Sequence, residues 1–301
     1  MEFKLVLEAN AVIAETPIWD PREGKLYWTS LFDGDAHRFD PVTKRDELFK
    51  TAEKLIGSAV PCEEQGYLLI AAGDELYVRD LVTDVRYFVA KPETNRSTNR
   101  FNDMRVDARG RILVSTVSKA YATPDFKPSM RGAFYAVEPN GSSRVVEDGI
   151  IQYNGIVWNA DNTRMFVADT AGEKLLVFSY DLDKGPVGGP ETAVDFRGGF
   201  STPDGLSIDS EDNIYVCHWS GHVTVWDKNL NLARDIAFPV PYACCGGFAG
   251  EDMRDFYVTS ARYGYTEEEA KKHPGAGGIF LGRSEIPGTL DHFYHFNKEG
   301  V

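Results

Sequence analysis

Four short segments of the chain share a pattern that places a carboxylate or an amide at a fixed offset from a turn. In each segment a Glu, Asn or Asp stands five residues before an Asp or Asn, and an apolar, β-rich stretch follows. The four leading residues are Glu15, Asn102, Asn154 and Asp204. Repeated units that are arranged radially point equivalent side chains at a common axis. Two carboxylates and two amides that converge in this way predict a cation site.

Turn chemistry offers a simpler explanation for part of this pattern. Asp and Asn recur in turns because their side chains hydrogen-bond to the nearby backbone. This explains the four trailing residues, Asp20, Asp107, Asn159 and Asp209. It does not explain Glu15, since Glu is not a turn residue. Buried carboxylates without a partner are also costly, and two that converge repel each other, so a divalent cation would remove both penalties.

Glu15, Asn154 and Asp204 together offer two carboxylates and one amide oxygen. Hard oxygen ligands of this kind suit Ca²⁺, Mg²⁺ or Mn²⁺. Three protein ligands leave coordination positions open for water and substrate, as in catalytic metal sites. We therefore expect one divalent cation, with Ca²⁺ foremost and Mg²⁺, Mn²⁺, Zn²⁺ or Fe²⁺ as alternatives.

The elements that must position these residues are predominantly short strands. Equivalent strand positions recur 41 to 53 residues apart, at Tyr27, Leu68, Leu113, Phe166, Tyr215 and Tyr257. Propeller blades are four-stranded antiparallel sheets of roughly 40–50 residues. The spacing predicts an all-β, six-bladed β-propeller over residues 1–301, as one domain with a central metal site. In the two units without a clear leading residue, the same offset falls near Gly57 and Cys245.

The ends of the chain and one polar segment carry further structural expectations. A propeller must cover its edge strands, so the N-terminal strand FKLVLEA is predicted to close the last blade beside the C-terminal HFYHFNK, residues 292–298. TEEEAKKH, residues 266–273, is the best helical candidate and is expected to be a surface insertion. His218 precedes a Ser-Gly turn and is expected to pack in the core rather than reach the channel.

Charge and cysteine usage restrict the classes of partner and compartment. The formal net charge of −14 disfavours binding to nucleic acid or to anionic membranes. The sequence begins with no signal-peptide pattern, and no stretch approaches the roughly 20 apolar residues of a membrane span. Cys62, Cys217, Cys244 and Cys245 show no C-x-x-C spacing. We therefore expect reduced thiols in a cytoplasmic protein, without a zinc–thiolate site.

The segments around the repeated residues resemble a known family. AETPIWD, NRFNDMRVDARGR, NGIVWNADNTRMFVADT and TPDGLSIDSEDNIYV are similar to motifs of the senescence marker protein 30 / gluconolactonase / luciferin-regenerating-enzyme-like family, also called regucalcin-like. FPVPYACCGGFAGEDMRDFYVTSAR is similar to the C-terminal segment of that family. The similarity runs in order along essentially the whole chain.

The resemblance implies a six-bladed propeller with one divalent metal in its channel, bound by Glu15, Asn154 and Asp204. It also implies that Arg100 and Asn102 contact the substrate and that Asp204 doubles as the general base. Family members hydrolyse sugar-acid lactones, and some hydrolyse phosphotriesters or fluorophosphates. We therefore expect a metal-dependent lactonase acting on a small molecule. The alternatives are a metal-dependent phosphotriesterase and a non-catalytic, calcium-binding regulatory propeller.

Two departures from the family pattern concern the substrate. Thr16 stands where many members have Gly. The loop from Lys119 to Arg131 lacks an acidic residue that some animal members use for sugar hydroxyls, and it offers basic residues instead. If this loop caps the channel, Lys119 and Tyr121 are expected to contact the substrate and to favour an anionic one. The alternative is a solvated loop with ordinary surface charges.

Overall fold

The strands form six four-stranded antiparallel sheets. The structure, a computed structural model, describes residues 1–121, 123–200 and 202–298; Ala122, within the basic loop, lies outside this range. The inner strands of consecutive blades contact each other from blade one round to blade six and back to blade one, which closes the ring. The predicted six-bladed β-propeller is confirmed.

In the first three blades the strands follow one another from the channel outward in chain order. Blade one contains β2 (Ala14–Asp20), β3 (Lys25–Ser30), β4 (Asp35–Phe39) and β5 (Asp46–Lys50). Blade two contains β6 (Ile56–Pro61), β7 (Tyr67–Ala72), β8 (Glu75–Asp80) and β9 (Arg86–Ala90). Blade three contains β10 (Asn99–Val106), β11 (Ile112–Ser118), β12 (Gly132–Val137) and β13 (Ser143–Ile150).

The other three blades are built in the same way, except that the first strand of the chain completes the last blade. Blade four contains β14 (Tyr153–Trp158), β15 (Arg164–Asp169), β16 (Lys174–Asp181) and β17 (Gly185–Asp195). Blade five contains β18 (Pro203–Ile208), β19 (Ile214–His218), β20 (His222–Trp226) and β21 (Leu232–Ala237). Blade six contains β22 (Ala243–Ala249), β23 (Asp255–Ser260), β24 (Ile279–Arg283) and, outermost, β1 (Lys4–Leu7).

Each inner strand is interrupted by a register shift near its channel-facing polar residue. The shifts fall between Glu15 and Ile18, Ile56 and Ser58, Phe101 and Met104, Tyr153 and Ile156, Pro203 and Leu206, and Ala243 and Gly246. A bulge bends its strand and re-aims side chains. These bulges lie at or beside the repeated positions, including those near Gly57 and Cys245 that the offset predicted.

The trailing Asp and Asn residues cap the turns after the inner strands, as expected. Oδ1 of Asp20 accepts a hydrogen bond of 2.9 Å from the backbone nitrogen of Arg22, and Asp107 and Asp209 make the equivalent bonds. Asn159 accepts from the backbone nitrogen of Thr163. The leading and trailing residues of the repeat therefore have separate roles. The trailing residue caps the turn at one end of the inner strand, and the leading residue lies at the other end, at the channel.

Two glycines let inner strands approach each other beside the polar residues. A Cβ on Gly155 would overlap the backbone nitrogen of Leu206, and one on Gly205 would overlap the Cα and Sγ of Cys245. Both glycines directly follow a leading residue, Asn154 or Asp204. A side chain at either position would push neighbouring blades apart and widen the channel.

The N-terminal strand closes the last blade, but beside a partner other than the predicted one. β1 pairs with β24, whereas residues 292–298 form no strand of this sheet. Tyr294 instead exchanges backbone hydrogen bonds with Pro61 and Glu63 in blade two. The prediction of the pairing partner was wrong because Tyr294 and Phe296 are buried against the core between blades two and three.

The remaining local expectations are also tested by the structure. Helix α1 (Glu267–Lys272) begins at a capping box on Thr266 and contains no buried residue, so it is the expected surface insertion. All four cysteines are free and buried. Within the described parts of the chain, no helix combines the length and apolar character required to cross a bilayer.

Replacing Phe3 with Ala is expected to destabilise blade six. The Phe3 ring is 7% exposed and lies 5.1 Å from that of Phe238, so its removal should lower the free energy of unfolding by about 3 kcal/mol. Leu5→Ala in β1 is the matched control, because Leu5 is 42% exposed and its truncation should cost below about 1 kcal/mol. Urea titration measures the free energy of unfolding of both variants. Equal losses would contradict the packing of the N-terminal segment against blade six through Phe3.

Candidate metal and substrate site

A cavity of about 240 Å³ occupies the end of the channel where the inner strands begin. Its polar lining consists of Glu15, Arg100, Asn102, Gln152, Asn154, Thr170, Thr202 and Asp204. Its apolar and aromatic lining consists of Ile13, Leu31, Phe32, Tyr121, Trp219 and Tyr263. A second cavity of about 290 Å³ lies towards the opposite ends of the strands and is lined by none of the predicted site residues.

The structure therefore brings together all four leading residues, Arg100 and Tyr121. It does not bring Lys119 into the cavity lining, because this side chain is exposed and its Nζ donates a hydrogen bond of 3.0 Å to the carbonyl of Ser97. His218 is fully buried and bonds to Thr224 through Nε2, at 2.9 Å. His218 is the expected core residue.

Glu15 and Asp204 form a carboxylate pair without a charged partner in contact. One oxygen of each and Sγ of Cys244 all lie within 4.8 Å of one another. Neither carboxylate forms an ion pair with any Lys, Arg or His among the residues that the structure describes. Burial raises the pKa of Glu15 to about 7, and burial together with the charge of Glu15 raises the pKa of Asp204 well above its usual range.

A chain of hydrogen bonds orients the two amides across three blades. Nδ2 of Asn102 donates to Oδ1 of Asn154 and, at 2.8 Å, to the carbonyl of Tyr153. Nδ2 of Asn154 donates to Oγ1 of Thr170 at 2.7 Å, and that hydroxyl donates to the carbonyl of Pro203. Because Nδ2 of Asn154 is held by Thr170, its Oδ1 is directed toward Asn102 and keeps a second lone pair.

Arg100 is the one cation in the lining of this cavity among the described residues. Nη1 of Arg100 donates hydrogen bonds of 2.8 Å to Oδ1 of Asn102 and to the carbonyl of Phe101. Burial lowers the pKa of this guanidinium to about 10, while the charges of Glu15 and Asp204 oppose the shift. Arg100 thus faces the carboxylate pair and remains charged at neutral pH.

Two partners of the carboxylates were missed by the analysis of sequence motifs. Trp219 donates from Nε1 to Oδ2 of Asp204 at 2.5 Å, and the Cys245 thiol donates to Oε2 of Glu15 at 2.8 Å. The Cys245 contact had a signal, since the repeat offset reached that position. The Trp219 contact had none, because it depends on how the β19–β20 turn folds over the channel.

The donor set fits a divalent cation. Each carboxylate accepts a hydrogen bond on one oxygen and retains acceptor capacity on the other, and Asn154 retains a lone pair. A half-buried and a buried carboxylate within 4.8 Å of each other are unfavourable without a positive charge beside them. A cation held by Glu15, Asn154 and Asp204 would supply that charge.

Backbone strain lies directly beside both carboxylates. Thr16 has a φ of 51° and Thr202 a φ of 55°, in the left-handed region that β-branched residues rarely occupy. Each costs on the order of 1–3 kcal/mol. A glycine at the position of Thr16, as the family resemblance leads one to expect, would adopt this conformation without strain.

The raised pKa of Glu15 predicts how the stability of the cation-free protein depends on pH. Between the ordinary value of 4.5 and about 7, the folded state binds more protons than the unfolded state, so the free energy of unfolding should fall as pH rises. Glu15→Gln should reduce this fall, and exposed Glu64→Gln should leave it unchanged. Urea titrations at pH 5 and pH 8 measure it; an equal fall in wild type and Glu15→Gln would refute the assignment.

Comparison with known proteins shows the family and the fold of this chain. A family model described as SMP-30/Gluconolactonase/LRE-like region matches residues 13–262. Regucalcin from Danio rerio is 30% identical over 95% of this chain and 97% of its own length, and 6-deoxy-6-sulfogluconolactonase from Pseudomonas putida is 28% identical over 97% and 98%. The crystal structure of a calcium-binding protein, regucalcin, from Agrobacterium tumefaciens superposes with a TM-score of 0.90 at 24% identity, over 98% of both chains. The chain belongs to the SMP-30/gluconolactonase/LRE-like family.

Proposed function

We propose that this protein hydrolyses a sugar-acid lactone with a divalent cation bound by Glu15, Asn154 and Asp204. The observation that carries the proposal is the pair of carboxylates from half-buried Glu15 and buried Asp204. The pair lies in a cavity beside an oriented amide and Arg100. Membership in a family described by gluconolactonases supports this reaction class. So does the relative named 6-deoxy-6-sulfogluconolactonase, which aligns over 97% of the chain.

The bound cation supplies Lewis acidity toward the lactone carbonyl. Asp204 serves as the general base, since Trp219 occupies one lone pair of Oδ2 and the remaining lone pairs are left for the cation and for a proton. Attack by water forms the new carbon–oxygen bond while Asp204 takes the proton. The ring carbon–oxygen bond then breaks and the proton passes to the departing ring oxygen, which gives the hydroxy acid. Burial raises the pKa of the Asp204 carboxylate, which favours its acceptance of the proton from water.

Arg100 and Gln152 provide the polar contacts for the substrate. The Arg100 guanidinium is positioned to hold the carbonyl oxygen or an anionic substituent, and Asn102 fixes it through Nη1. Oε1 of Gln152 is buried in the cavity lining without a hydrogen-bond partner. A substrate hydroxyl would satisfy it, since an unpaired buried acceptor is costly. Tyr121 and Trp219 offer flat apolar surface for the ring of the substrate.

Asp204→Asn is expected to remove most of the activity while preserving the fold. The change is nearly isosteric, but it eliminates the base and one ligand charge, and loss of a positioned base costs about 10²–10⁴-fold. Asp183→Asn, in an exposed turn, is the matched control and should retain wild-type turnover.

The measurement is the rate of aldonolactone hydrolysis on chelator-treated protein to which Ca²⁺, Mg²⁺, Mn²⁺, Zn²⁺ or Fe²⁺ is restored. Wild-type protein should lose activity on chelation and regain it with one of these cations. Turnover near the wild-type level in cation-saturated Asp204→Asn would rule out its role as the base. Activity that survives chelation would rule out the cation.

Arg100, the one cationic side chain in the cavity lining among the described residues, predicts a preference for anionic lactones. A charge pair at about 4 Å contributes on the order of 1–4 kcal/mol, so Arg100→Gln should raise KM for a carboxylated or sulfonated lactone about tenfold or more. KM for a neutral lactone should change less. Lys119→Ala is the matched control, because its ammonium is bound at Ser97 on the surface. If Lys119→Ala raises KM for the anionic lactone more than Arg100→Gln does, the basic loop, and not Arg100, contacts the anionic group.

A further inference from the structure

Blade six contributes two adjacent thiols next to the carboxylate pair, and neither takes part in the proposed hydrolysis. Cys244 and Cys245 lie inside the bulge of β22, between Ala243 and Gly246. Ordinary strand alternation would send adjacent side chains to opposite faces, whereas a bulge relaxes that alternation. Cys245 donates to Oε2 of Glu15. Cys244 has its Sγ within 4.8 Å of one oxygen of Glu15 and one of Asp204.

We propose that the Sγ of Cys244 is a fourth protein ligand of the cation, and that the site therefore prefers a thiophilic cation of the Zn²⁺ type over Ca²⁺ or Mg²⁺. This differs from the sequence-based expectations, which predicted no zinc–thiolate site and placed Ca²⁺ foremost. This inference rests on the proposed function in one respect, because both use the cation site at Glu15, Asn154 and Asp204. It concerns which cation binds and through which atoms, and it can be tested without any lactone.

The geometry allows the sulfur to join the site. A tetrahedral Zn²⁺ site has metal–sulfur bonds of about 2.3 Å and metal–oxygen bonds of about 2.0–2.2 Å, which places its ligand atoms roughly 3.5 Å apart. The atoms of Glu15, Asp204 and Cys244 are already within 4.8 Å of one another. Glu15 has the longest of the three side chains, and rotation about its bonds can close the difference.

The surroundings of Cys244 leave the substrate side of the site open. Cys244 is fully buried and packs with Ile13, Leu31 and Ala261. Ile13 and Leu31 also line the cavity, whereas Cys244 does not. The sulfur therefore approaches from the dry wall of blade six, and water or substrate on the cavity side would take a fifth coordination position.

Charge balance favours binding of the sulfur as thiolate. A dication beside two carboxylates and Arg100 would leave one net positive charge buried in the channel. When the Cys244 S–H bond breaks, its proton goes to solvent and the sulfur electron pair forms the bond to the cation, so the buried charge is neutralised. No oxidation or reduction occurs. Thiolate ligands select Zn²⁺ and its softer analogues, whereas Ca²⁺ and Mg²⁺ take oxygen ligands.

The test is the absorption spectrum of the full-length protein after chelation and loading with Co²⁺. A Co²⁺–thiolate bond gives a near-ultraviolet charge-transfer band that an all-oxygen site lacks. Wild-type protein should show the band, and Cys244→Ser should lose it while still binding Co²⁺. Cys245→Ser and Cys62→Ser, which also remove buried thiols, should keep it. A band that persists in Cys244→Ser but is lost in Cys245→Ser would overturn the assignment.

Competition between cations provides a measurement that needs no variant. Calorimetric titration of the chelated wild-type protein should show Zn²⁺ or Cd²⁺ binding at least about tenfold more tightly than Ca²⁺, with release of a proton that depends on buffer. Co²⁺-loaded wild type that lacks the band yet hydrolyses lactone would overturn this inference and leave the proposed function standing. A protein that shows the band but hydrolyses no lactone would support the thiolate ligand and overturn the proposed function.

Discussion

Two like-charged carboxylates held together inside a narrow channel are the constraint on which the rest of this site depends. Glu15 and Asp204 come from blades one and five, yet one oxygen of each lies within 4.8 Å of the other. Burial raises the pKa of both, and no cationic side chain among the described residues contacts either directly. Such a pair is unfavourable until a cation or a proton neutralises it, and this supports the proposed cation site.

The propeller holds this arrangement because every blade contributes to the same end of the channel. Blades one and five provide the carboxylates, blade four the amide that is proposed as a ligand, and blade three the arginine and the second amide. Blade six provides the thiols. Blade two provides Gly57, whose missing Cβ allows the neighbouring strand to come close at Asn102. The bulges in all six inner strands make these contributions compatible, because they re-aim side chains at the axis without ending the strands.

Two features of the site lower the stability of the folded protein. Thr16 and Thr202 adopt left-handed backbone conformations directly beside the two carboxylates, and Oε1 of Gln152 is buried without a partner. Elsewhere the same inner strands are regular and their turns are well capped by Asp and Asn. Strain and an unpaired acceptor beside the carboxylates are typical of a binding or catalytic site.

The sequence by itself determined the repeat, and the repeat determined most of the fold. A period of 41 to 53 residues, with an offset shared by four of the six units, predicted six blades, the turn caps and the convergence of the four leading residues. The convergence follows because radial copies point equivalent residues inward. The tertiary structure alone decided what depends on contacts between distant segments. In the folded protein β1 pairs with β24 and not with residues 292–298. The indole of Trp219 donates a hydrogen bond to Asp204, and the side chain of Lys119 lies at the surface. The tertiary structure also brought Cys244 beside the carboxylates, since a bulge relaxes the alternation from which the direction of a strand side chain is otherwise inferred.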